Sequence, residues 1–307
     1  MVHWGANAVL QLAFELGLFA AVVFALFGLD DLLLDVLHLA GVGRAEHRRV
    51  DERAPVPLCF AVFIPAWREG GVIGPMLRHL VAQWPQPSLR IYVGVYANDL
   101  ATMLSVAQLA AHDARIQMVI NRALGPTTKG DCLNRLWQRL RGDMEQGPWQ
   151  AQAVLLHDAE DVVDSAELHA LGAALHQVDF AQLPVLPLLA ARRWIGPHYA
   201  DEFAEAHGKE LPVRAALGAP IPLAGVGCAF RVEWLARLGD GAGPFSADCL
   251  TEDYEIGLRL AALGAEGAFV RMHADDGRLI ASRGMFPQDL AGAVMQKTRW
   301  LRGIALE

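Results

Sequence analysis

The chain has 307 residues, 53% of them hydrophobic, and carries 26 Lys and Arg against 34 Asp and Glu, a net charge of −8. That length can hold one large α/β domain or two small ones. The acidic balance excludes an ordinary duplex nucleic-acid binder, which presents a basic face.

The first predicted element is the apolar run Ala8–Leu29, "AVLQLAFELGLFAAVVFALFGL", interrupted only by Gln11 and Glu15. It has the length of a bilayer span. The flank before it has no Lys or Arg, whereas Arg44, Arg48, Arg49 and Arg53 follow. This asymmetry predicts a membrane helix with everything after it in the cytoplasm. A buried core helix is the alternative, to which Glu15 lends weight; a cleaved signal peptide lacks its basic start and small-residue cleavage site. The acidic and apolar stretch "DDLLLDVLHLAGV" is expected along the membrane interface. Residues 1–54 thus form a membrane and juxtamembrane segment, and residues 55–307 the remaining domain.

From Pro55 onward, short apolar runs alternate with amphipathic stretches. Cys59–Ala66, Leu89–Ala97, Ile116–Ile120 and Ala153–Asp158 read as strands. Val72–Gln83, Ala101–Asp113 and Cys132–Met144 read as helices. The order predicts a mostly parallel sheet with helices on both faces. Ligands of such sheets bind beyond the carboxyl ends of the strands, where "FIPAWREGG", "YANDLAT", "NRALGPTTKGD" and "HDAED" fall. The segment Pro184–Pro222 is expected to wrap the core without extending the sheet. The four cysteines, Cys59, Cys132, Cys228 and Cys249, form no CxxC pair. Neither a zinc site nor a disulfide framework is expected, and a reducing compartment fits.

Four motifs carry candidate chemistry. In "VLLHDAEDVVD", Asp158 ends a strand and Glu160 lies two residues on. Two such carboxylates can converge on a hard cation whose shell nucleotide phosphates complete; an ordinary charged turn is the alternative. Asp164 with Glu167 reads as a capping box, and Asp161 as a solvated turn residue. In "GPTTKGDCLN", Lys129 starts a helix capped by Thr127 or Thr128, a setting that suits phosphate, although no Walker A glycine pattern is present. In "LTEDYE", Thr251 can cap a helix whose first turn holds Glu252 and Asp253. Acids there suit the macrodipole, and one of them facing a pocket would serve as a general base. In "QKTRW", Gln296, Arg299 and Trp300 share one helical face, either core or a surface for a sugar-phosphate.

Taken in order, "FIPAWREGG", "YANDLAT", "TTKGDCLN", "HDAED", "GVGCAF", "TEDYE" and "QKTRW" resemble the signatures of bacterial family-2 membrane glycosyltransferases, to which cellulose and hyaluronan synthases also belong. The wording of "GLDDLLLDV", "HDAEDVVD" and "SRGMFPQD" is most similar to the phage-adsorption protein B group. The resemblance covers nearly the whole chain. It implies a GT-A (Rossmann-like) fold at the cytoplasmic side of the bacterial inner membrane. The implied activity is inverting transfer of a sugar from a UDP-sugar, an N-acetylhexosamine, to a growing polysaccharide or other glycan acceptor. By position, Pro65, Trp67, Glu69, Asn98 and Asp99 would border the base and ribose, and Lys129 would touch the nucleotide or its diphosphate. Asp158 and Glu160 would hold Mg²⁺ or Mn²⁺. Asp253 would be the base, with Glu252 beside it. Gln296, Arg299 and Trp300 would meet the diphosphate and the acceptor.

Membrane lipid, an outer-membrane export partner and, through a C-terminal domain outside this chain, cyclic-di-GMP are the further partners the resemblance implies; nucleic acid is not among them. The chain departs from the pattern in three places. Tyr96 and Ala97 stand where an aspartate pair is usual, so this loop does not fix uridine specificity. The metal motif ends in Glu160, not Asp. The gating motif of cellulose synthase is absent. Further membrane helices are expected beyond the "RGIALE" at which the sequence stops. Two other classes remain: a membrane-tethered, non-catalytic assembly or receptor subunit with a degenerate domain, and a Rossmann oxidoreductase, for which no GxGxxG follows the first strand.

Overall fold

The structure, a computed structural model, describes residues 2–44, 56, 58–189, 194–239 and 241–305. Its first element is a single helix, α1 (Val2–Leu39). The apolar run and the acidic stretch after it form one continuous helix, with no break at Asp30–Asp31; no proline stands there to impose one. Residues 9–39 are long and apolar enough to cross a membrane, and the most apolar window of this helix buries nothing against the rest of the chain. A helix apolar all round needs a covering, and the described residues do not supply it for this window. Three of the arginines behind the orientation argument, Arg48, Arg49 and Arg53, lie outside the described residues.

A β-α alternation follows: β1 (Phe60–Pro65), α2 (Ile73–Gln83), β2 (Arg90–Val95), α3 (Leu100–Ala110), β3 (Ile116–Ile120), α4 (Lys129–Gln146) and β4 (Ala153–Leu156). All four expected strands and three expected helices are present with slightly different ends. Then come α5 (Glu167–Leu175), β5 (Phe180–Gln182), β6 (Val185–Leu188), α6 (Ile195–Glu205), a π-helical turn (Ala206–Glu210) and α7 (Leu211–Ala216). The chain continues through β7 (Cys228–Arg231), α8 (Val232–Leu238), α9 (Glu252–Ala262), β8 (Gly267–Phe269), β9 (Ser282–Met285) and α10 (Leu290–Ala305).

Among the described residues, the main sheet has seven strands in the order β3-β2-β1-β4-β7-β5-β8. Strands β1 to β4 are parallel, Val62 pairing with Ile91 on one side and Leu155 on the other. Both faces of β1 are covered. Phe60, Val62 and Ile64 pack with α2, α3 and α5, whereas Ala61 and Phe63 pack with α4, α8 and α9. The continuous apolar runs of the sequence reflect this burial on both faces. Gly94 is needed where α4 crosses β2, since a Cβ there would lie 2.4 Å from Cys132 Sγ.

Strand β7 runs antiparallel to β4, with Cys228 opposite Leu156. The turn before β7 therefore arrives at the edge where β1, β2 and β4 end. Strand β6 does not extend the main sheet; it pairs with β9 in a separate two-stranded ladder. The expectation that Pro184–Pro222 wraps the core holds to that extent, with α6 and α7 added.

Candidate active site

Carboxyl ends of parallel strands converge with the β7 turn and the starts of α4 and α9 around one cavity of about 410 Å³. Of the residues singled out from the sequence, Pro65, Trp67, Glu69, Lys129, Asp158, Glu160, Glu252, Asp253, Gln296, Arg299 and Trp300 line it together. Two do not. Asn98 exchanges hydrogen bonds with the backbone of Gly125, at 2.7 and 2.8 Å. Asp99 caps α3 through Thr102 N and accepts from Arg68 N at 2.6 Å. Arg68 sits at a φ of 61°, a conformation unfavourable for a residue with a Cβ, and the Asp99 bond holds it there. Glu69 N donates to Thr102 Oγ1 at 2.9 Å. Asn98 and Asp99 thus tie together the loops that carry Trp67, Glu69 and Gly125, and Asp99 also serves as the cap of α3.

Lys129 opens α4, with Thr128 as its cap accepting from Asp131 N. The Lys129 ammonium lies 2.7 Å from Asp158 Oδ1. Burial works against its charge, but Asp158, Glu252 and Asp253 outweigh burial and raise its pKa. The acids around it move upward too. Burial, with Asp158, Asp161 and Glu69 nearby, pushes Glu160 up to about 7. Burial and Asp253 push Glu252 up to about 7, against the pull of Lys129. Burial raises Asp253, with Lys129 opposing. Glu69 is raised by burial and then by Asp158 and Asp99. Lys129 and Arg299 face six lining acids, Glu69, Asp158, Glu160, Asp161, Glu252 and Asp253, so the cavity favours protons or an added cation.

Asp158 and Glu160 are hard oxygen donors that suit Mg²⁺ or Mn²⁺. Among the described residues no three Asp, Glu, His or Cys side chains form a ready cation cage. A cation held by Asp158 and Glu160 would therefore need the rest of its shell from ligand oxygens and water. Two buried oxygens of lining residues, Glu252 Oε1 and Gln296 Oε1, have no protein hydrogen-bond partner. Buried polar atoms rarely stay unpaired, and these two are open to a polar ligand.

Two expectations change. Asp161 is not solvated: it is buried and accepts from His157 Nδ1 and from Asp158 N, both at 2.9 Å. Thr251 makes no side-chain cap bond to α9; its side chain packs on Gly303 of α10 instead. The Asp164 and Glu167 pair does make the expected reciprocal bonds, Glu167 accepting from Asp164 N and Asp164 from Ala166 N, in the turn that leads into α5, whose N-cap is Ala166. Asp164 also pairs with Arg278 and Arg283, which local reading does not reveal. The cavity further includes Phe203 of α6 and Phe286, whose rings lie 4.8 Å apart, with Phe203 6.4 Å from Trp300. Only their aromatic character could have suggested them. Tyr96, in the loop that departs from the aspartate pattern, bonds Thr127 Oγ1 at 2.7 Å and meets Trp67 edge-on at 5.1 Å.

Residues 57–303 match the family described as glycosyltransferase like family 2. The chain belongs to that family. This family 2 glycosyltransferase-like chain is 34% identical over 319 aligned positions to Bacteriophage adsorption protein B of Escherichia coli (strain K12). The same identity holds for Bacteriophage N4 adsorption protein B of Escherichia coli O157:H7. Each match covers 94% of the chain and 42% of the relative, so the chain spans about two fifths of the length of these curated relatives. In fold, the family 2 chain is similar to the mannosyltransferase PcManGT from Pyrobaculum calidifontis, solved in complex with GDP-Man and Mn²⁺. The TM-score is 0.65 at 18% identity, over 92% of this chain and 72% of the other. The mostly parallel sheet is thus a GT-A-like glycosyltransferase fold.

Proposed function

We propose that this family 2 glycosyltransferase transfers a sugar, with inversion, from a nucleotide diphosphate sugar to a glycan hydroxyl at the cytoplasmic face of a bacterial inner membrane. The supporting observation is the gathering of Lys129, Asp158, Glu160, Glu252, Asp253 and Arg299, from distant segments, around one cavity. The proposed donor is a UDP-N-acetylhexosamine, on the resemblance of the motifs. The part that the relatives' names give them in phage adsorption fits a glycan exported to the cell surface.

Asp253 takes the proton of the acceptor hydroxyl as the oxygen attacks the anomeric carbon. The bond from that carbon to the diphosphate breaks on the opposite side, which inverts the centre. Negative charge develops on the leaving diphosphate, where Lys129 and Arg299 stabilise it. Asp158 and Glu160 would hold Mg²⁺ or Mn²⁺, which when bound supplies further charge neutralisation at the diphosphate. Trp300, with Phe203 and Phe286, offers aromatic faces for a sugar ring.

The test is a panel of UDP- and GDP-sugars incubated with the purified protein and Mn²⁺, reading released nucleotide and, by calorimetry, binding. Acceptor-dependent release of UDP that EDTA abolishes is expected. Release of GDP alone would overturn the donor assignment. Absence of any metal-dependent nucleotide-sugar binding would favour the non-catalytic assembly or receptor role.

A further inference from the structure

Behind the Asp158–Glu160 turn lies a buried array that the transfer mechanism does not use. Asp161 Oδ2 accepts from the Asp158 backbone N–H and from His157 Nδ1. The Asp161 N–H returns a bond to the Asp158 carbonyl at 3.3 Å. One carboxylate oxygen therefore closes the turn, which lines the cavity through Asp158, Glu160 and Asp161 itself. His157 is fully buried. Its backbone N–H donates to Phe63 O, tying it to β1, and its ring lies 5.7 Å from that of Trp84. On its other side Nε2 faces Glu167 Oε2 at 3.6 Å. With a carboxylate oxygen at Nδ1, the ring carries its proton there and donates it to Asp161.

We propose that His157 and Asp161 are positioning residues for the cation pair: His157 fixes the Asp161 carboxylate, which in turn clamps the Asp158 backbone and so aims Asp158 and Glu160 at a common ion. This rests on the reading of Asp158 and Glu160 as cation ligands. The arrangement follows the general logic by which groups behind a metal site orient its ligands. Here the link passes through a backbone N–H of the ligand-bearing turn. A residue that served only to fill the core would change stability and leave the ion's affinity alone.

The test titrates Mn²⁺ alone into the detergent-solubilised full chain, following free Mn²⁺ by electron paramagnetic resonance, with thermal melts in EDTA alongside. Asp161→Leu keeps the branched shape of the side chain and removes the oxygen to which both N–H groups donate. His157→Phe keeps the bulk of the ring and removes the bond. Both should weaken Mn²⁺ binding by about 10- to 100-fold, the usual range for lost outer partners of a metal site. His157→Asn, whose side-chain amide can reproduce the Nδ1–H bond, should stay near wild type. Unchanged Mn²⁺ affinity in folded Asp161→Leu and His157→Phe overturns the proposal, as does an equal loss in His157→Asn. If His157→Phe does not fold, the near-isosteric Asp161→Leu decides alone. Failure of the wild type to bind Mn²⁺ overturns the cation reading of Asp158 and Glu160 itself, and the positioning role with it.

Discussion

Glu252 and Asp253 stand next to each other in the first turn of α9, both lining the cavity and both with carboxyl groups shifted upward by burial. A helix turns neighbours about 100° apart, so their environments differ. Asp253 Oδ1 accepts from Tyr254 N at 2.8 Å, and its other oxygen lies against Gly225. Glu252 is the more enclosed, with Oε1 unpartnered. Asp253→Asn is expected to keep donor and cation affinity while lowering transfer by at least about 100-fold, the low end of general-base contributions. Glu252→Gln should lower it less. Single-turnover transfer beside calorimetric donor affinity checks the ranking; the reverse order with affinity intact would make Glu252 the base. The adjacency of the two acids was legible in the sequence. Their surroundings were not, because Lys129 and Gly225 reach them from elsewhere in the chain.

At the scale of elements, the β7 turn and the α5 start are the sensitive joints. Gly225 has a φ of +73°, and a Cβ there would lie 2.2 Å from Asp253 Oδ2. Gly225→Ala therefore meets both a backbone penalty and a collision with the proposed base. Its stability should fall by about 1–2 kcal/mol, the scale of a left-handed residue with a Cβ. Its turnover should fall by about 100-fold, as for a catalytic group misplaced by about 1 Å. Urea unfolding and steady-state rates measured together separate the two effects. At α5, Asp164 is a buried carboxylate facing Arg278 and Arg283, whose side chains are 32% and 27% exposed. Removing a cap alone costs about 1 kcal/mol. Asp164→Ala also removes the carboxylate that the two arginines share, although Arg278 keeps Asp276 and Arg283 keeps Ala281 O, and about 2 kcal/mol is expected, below a fully buried pair because solvent screens them. An unfolding difference near 1 kcal/mol would mean that the arginines contribute nothing.

For the whole molecule, the two telling quantities are solubility and the pH dependence of stability. Helix α1 exposes its apolar surface, while Asp35 near its end pairs with Lys209 after α6. Deleting residues 1–40 should yield a domain that stays monodisperse without detergent, as judged by size-exclusion chromatography. Free solubility of the undeleted chain would instead argue against a membrane role for α1. Part of the pH dependence comes from Glu167, which burial pushes up to about 7 while His157 opposes, alongside Glu160 and Glu252, which are raised likewise. The ordinary value of Glu167 is 4.5, so the folded state binds the proton more tightly than the unfolded state. That contribution is complete below about 4.5 and is lost as pH rises through about 7. His157, raised by Glu167 and Asp161 against the effect of burial, adds a change of the same sign. In EDTA, wild-type stability should fall over this window, and Glu167→Gln should remove up to about 1.4 kcal/mol per pH unit of the slope. Urea midpoints across the window check this; equal slopes in the two proteins would place the proton elsewhere.

What the sequence determined by itself was local or sequential. Continuous apolar runs marked the strands buried on both faces, amphipathic stretches marked the helices between them, and strand-end polar residues marked the ligand edge. These signals depend on neighbours a few positions apart, and on motif order along the chain. The tertiary structure decided the rest through contacts that no local period encodes. It turned β7 antiparallel, so that the Gly225 turn meets Asp253. It bound Asn98 to Gly125 and Asp99 to Arg68, and brought Phe203 beside Trp300. It also buried Asp161 against His157, whose ring is in turn approached by Ser282 from 125 residues away. The physical reason is desolvation: whether a carboxylate is a solvated turn, a cap or part of a buried clamp depends on which distant groups exclude water from it.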